Sequence, residues 1–400
     1  PCVGQADSWN EPSLQKAPDG FSNLFLKITD LEDSHSLSFN NQAGRYTGIY
    51  NAKYQGALFN ITGVGDWLSA VLVTNPVHLK YSNSLGLNYV RPFGEQGGNV
   101  QLGFSTLRYQ LDPDEVGNQT LAYEGDSSTF SLRFERPFFV DKGDFWWGIG
   151  AEKKSSSAKT LFNEYFDASH RAGDTAVHGE DRLFVGEFSL RANAMDDLVS
   201  QYPAANSISM KVKHAFPGIF GSMTDDDIRR KLENLAKSTN QLNIDGPVGN
   251  VEGMEADFWK YYVSISRMQM LPQRLTASIL LEGEYTPSGK IPKAYEFVGA
   301  NNGAYGFKYT LSVGRSLYQD LVNLVVGYRG VNSYAHYWNE SPGCGDATQV
   351  TGLYRCSTDS GFLNLAFKYG LFFSDIEYQS SIRSFEQNQE VVKFNIGTRW

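Results

Sequence analysis

No stretch of this sequence approaches the roughly eighteen uninterrupted apolar residues of a helical membrane span, which excludes that way of crossing a bilayer. Runs of lysine or arginine are also missing and the formal net charge is −9, so nucleic-acid binding has little support. The histidines His35, His78, His170, His178, His214 and His336 are scattered, with no His-x-x-x-His pair and no His/Cys cluster at ligand spacing. Asp225–Asp227 lacks the glycine and the distal glutamate of a calcium loop. Glu282 and Glu284 share a strand face, where a hydrated lining explains them without acid–base chemistry. No catalytic set, metal site or cofactor is expected. No signal peptide is visible, and export would need one, so the chain is expected to be processed or trimmed. Cysteine is scarce, with 3 in 400 residues. Cys344 and Cys356 lie in one Gly-, Asp- and Thr-rich stretch and would pair in an oxidising compartment; the alternative is two free thiols. Cys2 has no evident partner.

What the sequence does have is aromatic residues, 14% of the chain, and long stretches of strict alternation. Trp259, Tyr261, Val263 and Ile265 share one face, and Lys260, Tyr262, Ser264 and Ser266 the other. Leu275, Ala277, Ile279 and Leu281 alternate with Thr276, Ser278 and Glu282. Phe184, Phe188, Leu190 and Ala192 alternate with Glu187, Ser189, Arg191 and Asn193. A soluble sandwich alternates too, but these runs reach about ten residues against the usual five or six, and the polar face carries both signs of charge. The expected fold is an all-β transmembrane antiparallel β-barrel of about sixteen strands over residues 36–400.

Connection lengths argue the same way. Short links at Thr62–Gly65, Gly94–Gly97, Lys142, Pro272–Gln273 and Gly370 alternate with long ones at 112–126, 159–180, 218–254, 288–304 and 338–360. Outer-membrane barrels have short periplasmic turns and long extracellular loops. The 218–254 loop should carry a short helix near 224–236, N-capped by Thr224, with Asp225, Asp226 and Asp227 in its first turn and Ile228, Leu232 and Leu235 at helical spacing. A solvated surface helix is the expectation. At the other end Val392, Phe394, Ile396 and Trp400 share one face. A last strand ending on an aromatic resembles the recognition signal for the barrel-assembly machinery, so Phe394, Ile396 and Trp400 are read as that signal.

Four stretches, in order, resemble the haemolysin-activator transporters of two-partner secretion, members of the BamA-like superfamily. Ser38–Gly48 resembles the family's opening strands, and Gly63–Asp66 its Gly-x-Gly-Asp turn. Ser264–Pro272, with Ser266, Arg267, Gln269, Leu271 and Pro272, resembles its Ser-Arg-x-Gln-x-Leu-Pro strand. Glu296–Phe307, with Glu296, Phe297, Gly299, Gly303, Tyr305, Gly306 and Phe307, resembles its lumen-loop motif. The resemblance implies a polypeptide-translocating outer-membrane pore of a Gram-negative-type bacterium, with the lipid bilayer, the barrel-assembly machinery and a partner polypeptide as its partners.

The pattern also departs from the family. Tyr305 stands where the loop arginine belongs, and Val325–Gly330 lacks the aspartate that would pair with it. Losing both together is coherent, since one charge left alone would be costly. Residues 1–35 leave no room for a periplasmic POTRA domain. The alternatives are therefore a structural barrel that anchors or sheathes another surface component, and a passive diffusion pore.

Overall fold

A computed structural model describes residues 13–16, 22–25, 32–41, 49–94, 97–111, 121–140, 143–162, 175–197, 202–237, 244–246, 254–288, 291–292, 303–318, 321–335, 344–347, 354–383 and 390–400. Sixteen antiparallel strands close into a barrel. They are β1 (Ser34–Asn40), β2 (Asn51–Phe59), β3 (Trp67–Thr74), β4 (Ser82–Phe93), β5 (Gly98–Gln110), β6 (Leu121–Val140), β7 (Gly143–Phe162) and β8 (Thr175–Asp196). After these come β9 (Ala204–Ala215), β10 (Trp259–Leu271), β11 (Leu275–Tyr285), β12 (Gly303–Leu317), β13 (Val322–Ala335), β14 (Tyr354–Tyr369), β15 (Phe372–Arg383) and β16 (Glu390–Arg399). Each pairs with the next, and β16 pairs with β1. Ile244–Gly246 lies parallel to Val177–Gly179 of β8, and Cys344–Ala347 lies against β14. No described helix is long and apolar enough to cross a membrane, which says nothing of strands.

The register decides which residues face lipid. On β6 to β8 the rows Phe138–Phe145–Ala192, Arg136–Trp147–Leu190, Phe134–Ile149–Phe188, Leu132–Ala151–Gly186 and Phe130–Lys153–Phe184 stack on one face. Phe130, Leu132, Ile149 and Phe188 there are all strongly exposed. The next rows up are Ser128–Ser155–Arg182 and Asp126–Ser157–Glu180. The apolar band thus runs from Phe138 to Phe130, which matches the roughly 9–11 residues a tilted strand needs to cross a bilayer. The opposite face carries Glu135, Arg133, Glu152, Glu187 and Lys213 and lines the lumen. A closed barrel with this apolar belt is an outer-membrane barrel.

Its height is uneven. β6, β7 and β8 have 20, 20 and 22 residues, whereas β1 and β3 have 7 and 8. Because the short turns hold the periplasmic ends level, the excess length of β6–β8 rises beyond the band on the long-loop side.

The turn between β2 and β3 needs Gly63 and Gly65 at φ 80 and 78, a left-handed region that side chains rarely adopt. Asp66 closes it. Its carboxylate accepts the Thr62 N–H at 2.9 Å and the Tyr89 hydroxyl at 2.7 Å. Burial alone would raise the Asp66 pKa; the bonds from Thr62 and Tyr89 outweigh it and hold the group below its ordinary 3.8. A depressed carboxylate stabilises the fold fully above its ordinary value, and that contribution fades as pH falls through the depressed one. The temperature of the heat-induced gel shift should therefore be lower for Asp66→Asn than for the natural chain at pH 7. The gap should shrink at strongly acidic pH, and a gap that does not change with pH would contradict the assignment.

Candidate functional site

The lumen wall is built from the polar half of the alternation. Across β6–β9, Arg133 donates to Glu187, and Lys213 donates to Glu152 at 3.0 Å while lying 3.4 Å from Glu187. On β10 and β11, Lys260 pairs with Glu284 at 2.7 Å and the Tyr262 hydroxyl donates to Glu282 at 2.7 Å. On the far side Arg329 of β13 donates to Glu377 and to Gln379 of β15, both at 2.5 Å, and Lys393 of β16 donates to Gln379 at 2.9 Å. Arg329 stands in the stretch where the family resemblance asks for an aspartate. Its positive charge is answered within the wall by Glu377, and the stretch Val325–Gly330 offers a loop arginine no carboxylate to pair with.

The lining changes character at the long-loop end. Above Glu187 on the same face of β8 come Val185 and Leu183; above Lys213 on β9 comes Ala215; before Lys260 comes Phe258. All four are buried, with Val185, Ala215 and Phe258 at 0% exposure. What covers them is the segment between β9 and β10, joined by Ile291 from the β11–β12 connection. Met223, Ile228 and Leu232 pack there with Met254, Ala256 and Ile291. Ile228 and Leu232 belong to helix α1 (Asp225–Lys237). The expected N-cap is present: the Thr224 hydroxyl and N–H both donate to Asp227 at 2.9 Å, and the Asp227 N–H donates to the Thr224 hydroxyl at 3.3 Å. These bonds hold the Asp227 carboxyl below the usual range. The Ala256 N–H donates to Asp225 at 2.6 Å and ties the returning limb to the first turn of α1.

The expectation of a solvated surface helix is therefore corrected. Its partners are inward-facing residues of β8, β9 and β10, so α1 folds over the inside of the lumen mouth. The signal was in the sequence: the inward positions Leu183 and Val185 are apolar where the lumen face below them is charged, and an apolar patch inside a hydrated lumen calls for a cover.

The signature strand has a different role. Ser266 faces the lumen, but Arg267 and Gln269 share the outward face with Ile265, at the short-turn end of β10. Arg267 donates to Asp196 at 2.7 and 3.0 Å, to Asn206 at 2.7 Å and to Gln269 at 2.9 Å. Gln269 donates to the Tyr202 carbonyl at 3.0 Å. The bidentate pair and its neighbours staple the β8–β9 turn to β10 at the periplasmic rim. Leu271 and Pro272 lead into the next turn, where Gln273 and Arg274 take positive φ. Of the lumen-loop motif, Glu296, Phe297 and Gly299 lie outside the described residues. Gly303, Tyr305, Gly306 and Phe307 belong to β12, where Tyr305 pairs with Tyr285 and Gly306 with Glu284. Phe307 is 42% exposed on the lipid face. That half of the motif is wall. Of Ser38–Gly48, residues 42–48 also lie outside the described residues. The structure holds no Cys344–Cys356 disulfide and so does not support that expectation; the register sets the two residues opposite each other. Cys2 lies outside the described residues.

Among the described residues the seam between first and last strands is short. Asn395 to Arg399 pair with Asn40 to Ser36, extended by two bonds between His35 and Trp400 at 2.8 and 2.9 Å and by one from the Asn41 N–H to the Phe394 carbonyl at 3.4 Å. The Asn41 side chain adds to the ladder. The Asn41 amide donates to the Val392 carbonyl at 2.8 Å and accepts the Phe394 N–H at 2.7 Å. Phe394, Ile396 and Trp400 face outward, with Phe394 against Phe39 at 6.1 Å and Trp400 stacked on His35 at 6.0 Å. By contrast, the β7–β8 ladder runs from Leu161 opposite Thr175 to Gly143 opposite Ala194.

The barrel has counterparts among solved structures. CdiB from Escherichia coli superposes with a TM-score of 0.68 at 11% identity, over 98% of this chain and 67% of that one. The barrel has the fold of CdiB and BamA. CdiB from Acinetobacter baumannii gives 0.61 at 12% identity, covering 98% of this chain and 64% of that one. BamA from Haemophilus ducreyi lacking POTRA domains 1-3 gives 0.55 at 13%, covering 98% and 75%. The chain thus spans about two thirds of the CdiB structures it matches. No protein-family model matches the sequence, and no curated protein matches it. The BamA-like barrel fold implied by the four motifs is borne out.

Proposed function

We propose that this barrel passes or presents a partner polypeptide at the cell surface, in the manner of two-partner secretion. The observation that carries the reading is a mouth covered from within by α1 over β8–β10, across the barrel from a seam that has few backbone bonds among the described residues, in a barrel with the CdiB and BamA fold. An extended chain entering the lumen would find both signs of charge along the wall. The strand edge at the seam is the natural handle for it, because backbone pairing is indifferent to sequence. A diffusion pore is the weaker alternative, since a covered mouth works against free passage. A structural barrel that anchors or sheathes a surface component is favoured by one feature: Arg329 is paired within the wall to Glu377, so the loop lock of a gated transporter has no place to form. Deleting the gene in its host and comparing surface and culture proteins separates these readings. Export predicts the loss of one large polypeptide, restored by complementation. An unchanged set of exported proteins, with a stoichiometric partner co-purifying from the membrane, would replace export by the structural reading.

A further inference from the structure

We propose that the outward face of β7 and β8, at the upper edge of the apolar band, binds a phosphorylated glycolipid of the outer leaflet. Its acyl chains would lie on the turn Gly218–Gly221, and Lys153 and Arg182 would hold its phosphate.

The first observation is height. Lys153 sits in the last apolar row, directly opposite both Phe130 and Phe184. Arg182 lies one row higher on the same face, diagonally across the ladder, a spacing of about 7–8 Å between Cα atoms. That is where lipid headgroups begin. Lys153 is exposed and has no ion pair among the described residues. The Arg182 side chain is 58% exposed and has Glu180 at 3.5 Å. Asp126 and Glu180 occupy the next row out, with the Ser157 hydroxyl donating to Asp126 at 2.5 Å. The cations therefore stand between those carboxylates and the membrane.

The second observation is the turn beside them. After β9 the chain crosses the outer face, and Phe216 settles near Phe184, with ring centroids 6.2 Å apart. Phe220 then lies edge-on to Phe184 at 4.9 Å. Phe220 is 70% exposed and Ile219 45% exposed. Phe220 also has φ 49 and ψ 32, a left-handed conformation unfavourable for a bulky side chain. Two bonds hold it there, from the Gly218 N–H to the Ser222 carbonyl at 3.1 Å and from the Ser222 N–H to the Ile219 carbonyl at 2.9 Å. A strained backbone that presents a phenyl ring to water gains nothing. The same ring at the top of the apolar band lies among acyl chains, and the cations beside it meet a phosphate through charge-assisted hydrogen bonds. An apolar tail joined to an anionic head at this one height is the chemistry of a phosphorylated lipid.

The test is native mass spectrometry of the full chain in detergent, titrated with bisphosphorylated lipid A, fully dephosphorylated lipid A and inorganic phosphate. The natural chain should retain one lipid A. The double variant Lys153→Gln/Arg182→Gln should bind it about tenfold or more weakly. Dephosphorylated lipid A should bind both forms equally and weakly. Phe220→Ser should weaken both lipids alike. Heat-induced gel shifts verify folding, and Lys153→Gln alone gives the same reading should the double variant misfold. Equal lipid A affinity in natural chain and double variant overturns the proposal. So does displacement of the lipid by inorganic phosphate, which would make this a free-anion site, or a dimer abolished by Phe220→Ser, which would make it a surface for a second copy.

Discussion

Excising residues 225–252 and joining Thr224 to Gly253 through a short Gly-Ser bridge raises the single-channel conductance of the barrel several-fold. The Ala256 N–H donates to Asp225, so the returning limb at Ala256 lies beside the residue that follows Thr224 and a short bridge spans the cut. What is removed is α1, whose Ile228 and Leu232 form part of the cover over Leu183, Val185, Ala215 and Phe258. Each large apolar side chain in that contact contributes about 1.5–3 kcal/mol, so thermal motion alone rarely lifts the cover. The barrel itself survives, because β9 and β10 pair without a break from Ala204 opposite Gln269 to His214 opposite Trp259. Planar-bilayer recording checks the result, with the gel shift as the folding control. A conductance unchanged by the excision would mean that α1 does not obstruct the path.

The second large effect is at the seam. Leu37 and Thr398 are register partners across β1 and β16. Replacing both by cysteine, with Cys2, Cys344 and Cys356 changed to serine, places the new thiols on strands whose opposed Cα atoms lie about 4.5–5.5 Å apart, within disulfide range. Oxidation should raise the temperature of the gel shift, since a cross-link that closes the ring restricts the unfolded chain by about 2–4 kcal/mol. The same oxidation should stop export of the partner polypeptide, and reduction should restore it. Export continuing at the natural rate through an oxidised seam would rule out strand-edge pairing there and leave the lumen as the only route.

The membrane-embedded part of this fold was readable from the chain because two solvents act on it at once. Lipid on one side and water on the other force a period of two, so Phe188, Leu190 and Ala192 separate cleanly from Glu187, Ser189 and Arg191. Where both faces meet water the constraint lapses. That is why β8 extends up to Thr175 and β7 on to Phe162, into the 159–180 stretch that reads as a loop. The face of α1 was illegible for a related reason. Ile228 and Leu232 announce an apolar stripe, but only the register of β8 and β10 reveals that its partners look inward. Arg267 and Gln269 were picked out by resemblance alone. Their reason, a rim staple to Asp196 and Tyr202, depends on two strands distant in sequence. The pairing of Arg329 with Glu377 skips over β14 and leaves no local trace.

The overhanging part of β8 has one more consequence. Above Val185, β9 no longer accompanies it, and a bare strand edge in solvent is a template onto which any extended chain can add. That edge is occupied. The Phe216 N–H donates to the Phe184 carbonyl at 2.9 Å, the Met223 N–H to the Arg182 carbonyl at 2.8 Å, and Ile244–Gly246 lies along Val177–Gly179. The segment that roofs the lumen therefore also blinds the tallest strand to stray partners. Among the described residues, the upper edge of β16 is the one that has few backbone partners, with the Asn41 side chain bonded to Val392 and Phe394.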